Sequence, residues 1–396
     1  MASPERLLAL ALALGCGLLP PAAGDGPWWG LGKVHPRGPK YKQTWDMAKS
    51  TGIMICNNSG QVNAEWAARW GLVDIDWNSD KVDWSRPHPM DAEENMLRNA
   101  QAIQKVNPST ITWVYRNGIK ALPWMTTVRE KLESKAHWGW FMPKKGCMPS
   151  PGHYVCGESA TANLYHDFEQ TPHGDCGRGV ECGEYVFNHR NASLRPWLIN
   201  TMFLGNATGG GNPAVSGFYV DDGWRASGPS EMDVNATKDM GMSTADITAM
   251  TAAWSANVAA WRQAIYDAGL FEWFMVYGGQ QTAPGWSQTA PNSTCMKFMR
   301  TNCGADSPSQ NGTMFFGYSR FTHQQAWGPG GELPSPTQDL AAFLITRGPF
   351  AWFGYGWTGC ADSKHPFTRP AALDADYGTP QGFCKETKPG VFERKW

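Results

Sequence analysis

Short apolar runs that stop abruptly on polar residues recur along this chain, and they limit its fold more than any other feature. "GIMICNN" (Gly52 to Asn58), "LVDIDWN" (Leu72 to Asn78), "TITWVYRN" (Thr110 to Asn117) and "VSGFYVDD" (Val215 to Asp222) read as buried strands. "EWFMVYGG" (Glu272 to Gly279), "TMFFGYS" (Thr313 to Ser319) and "FAWFGYGW" (Phe350 to Trp357) follow. Runs this short, rich in β-branched and aromatic residues, suit strands rather than helices.

Helical patterns fall between them. In "DAEENMLRNAQAIQKVNP" (Asp91 to Pro108), Met96, Leu97, Ala100 and Ile103 recur at helical spacing behind a first turn of acids, and proline ends the run. Further helices are expected near Thr126 to Ser134, Arg195 to Leu204, Thr244 to Ala268 and Thr337 to Thr346. Strand and helix in alternation imply an α/β fold with a parallel sheet. A (β/α)8 TIM-like barrel fits both the length of 396 residues and strands buried on both faces, with one more strand expected around 280 to 335. A doubly wound open sheet is the alternative, but no glycine-rich phosphate loop follows the first strand.

The first residues read as an address. "MASPERLLALALALGCGLLPPAAGDG" carries Arg6, an apolar run from Leu7 to Leu19 and small residues at Ala22 to Gly24, the pattern of a signal peptide over 1–24. The run is too short to span a bilayer, and no other uncharged apolar stretch of about 18 residues occurs, so a secreted or lumenal protein without a membrane span is expected. Six Asn-x-Ser/Thr sequons, at Asn57, Asn191, Asn206, Asn235, Asn292 and Asn311, agree with that compartment. Ten cysteines agree as well. Without Cys16 nine remain, and Cys147 with Cys156, Cys176 with Cys182 and Cys295 with Cys303 are the expected local pairs, leaving an odd thiol such as Cys56. A zinc site on Cys147, Cys156, Cys176 and Cys182 would need closer spacing than this.

From about 136 to 190 the periodicity dissolves into Cys, His, Gly and Pro, as in a disulfide-stapled insertion between the third and fourth strands. The domain layout expected is therefore a barrel over 25–375 with this insertion, then the start of a C-terminal β segment, incomplete, over 376–396. Charge excludes some partners. With 34 basic against 35 acidic residues and no basic block, neither nucleic acid nor an anionic membrane surface is indicated, and no cofactor motif is present. Twenty-one Trp is a large number, open to two readings: a Trp-rich core, or aromatic platforms in a cleft.

Strand ends share one chemistry. Asn57 and Asn58, Asp74 and Asp76, Arg116 and Asn117, Asp221 and Asp222, Tyr277 with Gln280, and Tyr355 with Trp357 all sit where an apolar run stops. In a barrel these ends converge on one face. Two adjacent acids at a buried strand end are hydrogen-bonded, paired or set in a cleft, and strand alternation turns one of Asp221 and Asp222 inward and the other to the loop. Loop capping is the bland alternative for both acid pairs. Opposed carboxylates in an aromatic cleft are what glycoside cleavage requires. Trp224, Arg116, Asn117, Tyr277, Gln280, Tyr355 and Trp357 are the residues expected to bind substrate. In the insertion, "YHDFEQTPHGD" (Tyr165 to Asp175) carries His166, Asp167, Glu169 and His173, and Asp167 or Glu169 could overhang the site as its acid. Glu272 begins its strand and so falls at the opposite end.

"GFYVDDGW", "FGYGW" and the closing "DYGTPQGFCKETKPGVFERKW" together resemble glycoside-hydrolase-like barrel families of secreted, mostly uncharacterised proteins. In those families an Asp-x-Gly-x-Pro-x-Gly segment and a Gly-Val-Phe-x-Arg segment lead from the last barrel helix into a small terminal sheet. Asp376, Gly378, Pro380, Gly382, Gly390, Val391, Phe392 and Arg394 match. The resemblance implies a barrel, a carbohydrate substrate and a catalytic role for Asp221 or Asp222 at the fourth strand. Two departures stand out: the family pattern continues past the position of Trp396, and "FFGYSRF" after the sixth run offers no acid. Three functions are thus expected in order: a secreted glycoside hydrolase using Asp221 or Asp222 with Asp74, Asp76, Asp167 or Glu169; a non-catalytic carbohydrate-binding protein; and a metal-dependent glycosyltransferase built on the "DID" of Asp74 and Asp76.

Overall fold

The computed structural model of the protein describes residues 41–55, 62–77, 90–167, 174–225, 227–230, 232–274, 299–307, 310, 313–317, 336–358 and 369–396. Its centre is a seven-stranded parallel sheet. The strands, numbered in chain order, are β1 (Thr51–Ile55), β2 (Leu72–Ile75), β3 (Ile111–Asn117), β4 (Gly217–Asp221), β5 (Phe271–Phe274), β6 (Thr313–Gly317) and β7 (Phe350–Thr358). They lie side by side in the order β5-β4-β3-β2-β1-β7-β6, and each of the seven expected runs supplies one strand. Sequential strands from β1 to β5 are neighbours, and β7 returns to pair with β1 through Thr51 and Phe353. A parallel α/β sheet is therefore present; closure into eight strands is not shown among the described residues.

Alternation splits this sheet into two chemistries. Val73, Ile75, Val114, Phe218 and Val220 face the helices and belong to the main core. There the helix α1 (Ala92–Val106) packs on β2 and β3, burying Met96, Ala100 and Ile103 completely. Register places Leu72, Ile111, Trp113, Gly217 and Phe271 together on the other face, here called the inner face. Of these, Leu72, Ile111, Trp113 and Phe271 form with Tyr41, Phe350 and Trp352 a second core cluster at the N-terminal ends of the strands. Tyr41 plugs it, donating its hydroxyl to the Ser216 carbonyl and accepting from Trp113 Nε1 at 2.8 Å. Gly217 must be glycine at this point, since a Cβ there would lie 2.4 Å from Trp113 Nε1 and 2.7 Å from the Phe271 carbonyl oxygen.

Helices α2 (Thr126–Leu132), α3 (Thr244–Asp267) and α4 (Pro336–Thr346) appear where the spacing predicts them. α3 opens on a capping box, in which the Ser243 side chain accepts from the Asp246 amide and the Asp246 carboxylate accepts from the Ser243 amide. The helix expected around Arg195 to Leu204 is altered: one α-turn, Leu194–Trp197, runs into a π-helical stretch, Leu198–Phe203.

The insertion is a small layer of its own. A three-stranded antiparallel sheet puts Glu184–Val186 between Lys120–Ala121 and His166–Asp167, so the insertion grows out of the chain just past β3. Disulfides Cys147–Cys156 and Cys176–Cys182 staple it, which takes those four cysteines out of any zinc site. The expected pairing of Cys295 with Cys303 does not occur. Cys303 bonds Cys384 instead, tying the chain near 303 to the C-terminal hairpin of Lys385–Lys388 and Val391–Glu393. Spacing favoured a local partner, but a hairpin folded back across the chain brought a distant cysteine closer. Cys56 and Cys295 lie outside the described residues.

Candidate active site

The site begins where β4 stops. Asp221 is the last residue of the strand, and Asp222 turns out of it with φ +62°, the one left-handed non-glycine residue among those described. Aspartate tolerates this region because its short carboxylate can bond locally. Here the bonds come from three sides. Asp222 Oδ2 accepts from Asn117 Nδ2 at 2.7 Å and lies 3.4 Å from Lys120 Nζ, while Oδ1 accepts from Ser230 Oγ at 2.8 Å. Ser230 arrives on the hairpin of Trp224–Arg225 and Gly228–Pro229, where its hydroxyl also accepts from the Gly223 amide at 2.9 Å. Asp222 is thus 1% exposed with both oxygens engaged.

Asp221, still within the strand, is placed by alternation. It shares the inner face with Tyr115 and Tyr219, receives the Tyr115 hydroxyl on Oδ2 at 3.1 Å, and accepts the Asp222 amide on Oδ1 at 2.9 Å. Asn117 links the two acids: its Nδ2 reaches both Tyr115 Oη (2.9 Å) and Asp222, and its Oδ1 holds the Ile119 and Lys120 amides. Burial raises the Tyr115 phenol well above its usual value, and Asp221, Asp222 and Asp76 raise it further. Tyr219 is raised the same way, by burial, then by Asp221, Tyr115, Asp76 and Asp74. Both phenols are therefore permanent hydrogen-bond donors near neutral pH.

Asp74 and Asp76 reach this group from β2. Asp74 sits one layer deeper, in register with Trp113 and Met54, and Asp76 follows the strand, its amide bonded to the Ile55 carbonyl at 3.0 Å. Neither is more than 2% exposed. Burial and the charge of Asp76 push the Asp74 carboxyl well above the carboxylate range, with the Ile75 backbone and Arg116 offsetting only part, and among the described residues it meets no side-chain donor. Asp74 consequently holds its proton more tightly than an exposed aspartate does.

The insertion adds an arm that the sequence did not reveal. Lys120 Nζ lies 3.0 Å from Glu184 Oε2 as well as near Asp222, and register sets Glu184 beside Asp167. All three side chains are buried. Burial alone would lower the lysine pKa; Asp222 and then Glu184 outweigh it, so Lys120 stays charged. Burial lifts Glu184 to about 8 despite Lys120, helped by Asp167 and Asp222. Asp167 Oδ2 accepts from the Asp233 amide at 3.2 Å and faces Tyr165 Oη at 3.4 Å. Tyr115, Tyr219, Lys120, Ser230 and Glu184 were not singled out from sequence. For the tyrosines the signal was present, since they share strand parity with Asn117 and Asp221; Lys120, Ser230 and Glu184 carry no local signature.

Other expected residues fall elsewhere. Arg116 has the opposite parity to Asn117 and lies on the helix-covered face, where its guanidinium donates to the carbonyls of Met202, Tyr115 and Thr208 and pairs with Glu93 at 3.5 Å. Trp224 is 4% exposed, its indole packed in the core with no hydrogen-bond partner for Nε1 among the described residues. Glu272 is bound by Arg262 and by Trp261 Nε1 near the start of β5, remote from the strand ends. Glu169, His173, Tyr277 and Gln280 lie outside the described residues, and of Tyr355 and Trp357 only the backbone, within β7, is described. Among the described residues no group of three or more His, Cys, Asp or Glu side chains has the geometry to hold a metal ion, so the "DID" finds no third ligand there.

Fold and site together define a mixed α/β protein whose parallel sheet gathers carboxyls and phenols on one face, at the C-terminal ends of its strands. No protein-family model matches the chain, and no curated relative matches its sequence. Among solved structures, one titled "Family GH13_31 enzyme" is similar over 80% of this chain and 66% of that one, at 9% identity and a TM-score of 0.36. A likeness of that size says nothing about substrate. Among the described residues no helix is long and apolar enough to cross a membrane.

Proposed function

We propose that the protein is a secreted glycoside hydrolase acting on a poly- or oligosaccharide, with Asp221 and Asp76 as the carboxyl pair. The supporting observation is convergence: Asp74, Asp76 and Asp221 reach one inner face from strands β2 and β4, with Tyr115 and Tyr219 between them. Two strands apart in the sheet, the backbones of such acids stand about 10 Å from each other, which leaves room for a sugar between their side chains. Asp221, oriented by Tyr115 Oη, would attack the anomeric carbon or activate water, and Asp76 would exchange the proton with the leaving oxygen. Asp74, its carboxyl raised by burial and by Asp76, limits the negative charge there. Asp222 anchors the turn that aims Asp221. The strand order supports a (β/α)8 barrel, in which one more strand would join β5 to β6. Secretion is supported by the N-terminal signal pattern and three disulfides.

One observation favours carbohydrate binding without turnover as a second reading: Asp221, the most accessible of the site acids among those described, is only 9% exposed. Reducing-end release from a polysaccharide panel separates the two. Wild type is assayed beside Asp221→Asn, Asp76→Asn and Asp222→Asn, with and without chelator. Turnover that Asp221→Asn abolishes and chelator spares supports the hydrolase. Binding without turnover in every sample sinks it and leaves the binding protein, and loss of activity with chelator would revive the glycosyltransferase.

A further inference from the structure

The chain Asp222, Lys120, Glu184, Asp167 runs from the end of β4 into the disulfide-stapled insertion with every member buried. Glu184 and Asp222 share one ammonium and Asp167 stands beside Glu184, which is more negative charge than a single lysine offsets. The excess is relieved if one carboxyl keeps its proton, and Glu184 is the member that burial and two acid neighbours push up.

We propose that Glu184 is a positioning residue for the strand-end acids: it acts through Lys120 on Asp222, so that the insertion controls, by one proton, how firmly the turn bearing Asp221 is held. This rests on the reading of the site as a carbohydrate site and deepens it. The geometry is direct, because the same Nζ stands 3.0 Å from Glu184 and 3.4 Å from Asp222. With Glu184 neutral, the lysine charge is undivided and faces Asp222. Once Glu184 ionises it competes for that ammonium, and Asp222 loses part of a hold that Asn117 and Ser230 otherwise share. The titratable and charged groups facing Glu184 are Lys120 from the neighbouring strand, Asp167 from the strand on its other side, and Asp222 from the turn after β4; Tyr165 and Asp233 adjoin Asp167.

The experiment compares wild type with Glu184→Gln, which reproduces the neutral carboxyl. The first arm is turnover across pH 6 to 10 on whichever polysaccharide of the panel is cleaved. Wild type is expected to lose activity along an alkaline limb centred near the Glu184 value of about 8, whereas Glu184→Gln should keep it, so that the ratio of turnover at pH 9 to pH 6 rises by roughly tenfold. A role confined to packing would lower turnover equally at all pH, and a limb that persists in the variant overturns the proposal. The second arm needs no substrate: Tm of both proteins over pH 5 to 10. Because the folded carboxyl holds its proton more tightly than the unfolded one, wild type loses stability relative to Glu184→Gln as pH rises from about 4.5 and the gap levels off above about 8. Other raised carboxyls, such as Asp74 and Glu272, are common to both proteins and cancel. A gap constant with pH overturns the inference by itself; no turnover in any sample fails the hydrolase reading instead, whatever the second arm shows.

Discussion

The two ends of the inner face belong to the same strands and differ in every other respect. At the N-terminal end Leu72, Ile111, Trp113, Phe271, Phe350 and Trp352 pack around Tyr41, and the polar atoms of Tyr41 and Trp113 that enter are satisfied within or beside the cluster. Two and four residues beyond Leu72, Trp113 and Gly217, those strands carry Asp74, Asp76, Tyr115, Asn117, Tyr219 and Asp221, one of them a carboxyl that no side-chain donor meets among the described residues. The lower end holds the sheet together by burial, and the upper end spends part of that stability to keep acids out of water. That division is the physical argument for placing chemistry at the upper end.

The comparison is most sharply tested by removing one group from each end. Trp113→Ala at the lower end should cost about 3–5 kcal/mol of stability, seen as a lowered denaturation midpoint, because a cavity opens and the Tyr41 hydroxyl loses a donor. Asp221→Asn at the upper end should leave the midpoint within about 1 kcal/mol while turnover falls by roughly a thousandfold; equal losses of stability at both ends would break the division. A control lies behind the sheet: Arg116→Met leaves Glu93 buried without its charge partner and three carbonyls without their donor, and should destabilise by about 3 kcal/mol or more. Were Arg116 instead a substrate ligand, the variant would bind polysaccharide less tightly at unchanged stability.

An effect that depends on pH sits on the boundary between the ends. Asp74 is raised in the folded state, so folding takes up a proton and stability declines as pH climbs from the unfolded value near 3.9 toward the raised one. Asp74→Asn removes that decline. Thermal melts should show the variant gaining on wild type as pH rises, by about 1.4 kcal/mol for each pH unit between the unfolded and the raised value, and a variant that instead loses ground would mean that Asp74 is ionised and paired.

Several features of the site are legible in the order of residues. "GFYVDDGW" ends a buried strand, alternation puts Asp221 on the inner face, and Asp222 leaves the strand in a left-handed turn. The same parity argument, applied to "TITWVYRN", separates Tyr115 and Asn117 from Arg116, which lies with the helices. Two disulfides close loops of under ten residues and were readable from spacing, whereas Cys303 and Cys384 are 81 residues apart and were not. Lys120 and Glu184 have the composition of surface residues. Only the antiparallel pairing of their short strands buries them together.

Local pattern is enough to specify the seven strands, the helices α1 to α4 and the acids at the ends of β2 and β4. Those properties are set by periodicity over a few residues and by where an apolar run stops. Which strands are neighbours, which distant cysteines meet, and that Asp222 shares its lysine with a carboxyl from the insertion emerge only once the chain is folded. Such pairings are settled by the burial of whole faces against one another, a long-range term that no window of sequence contains.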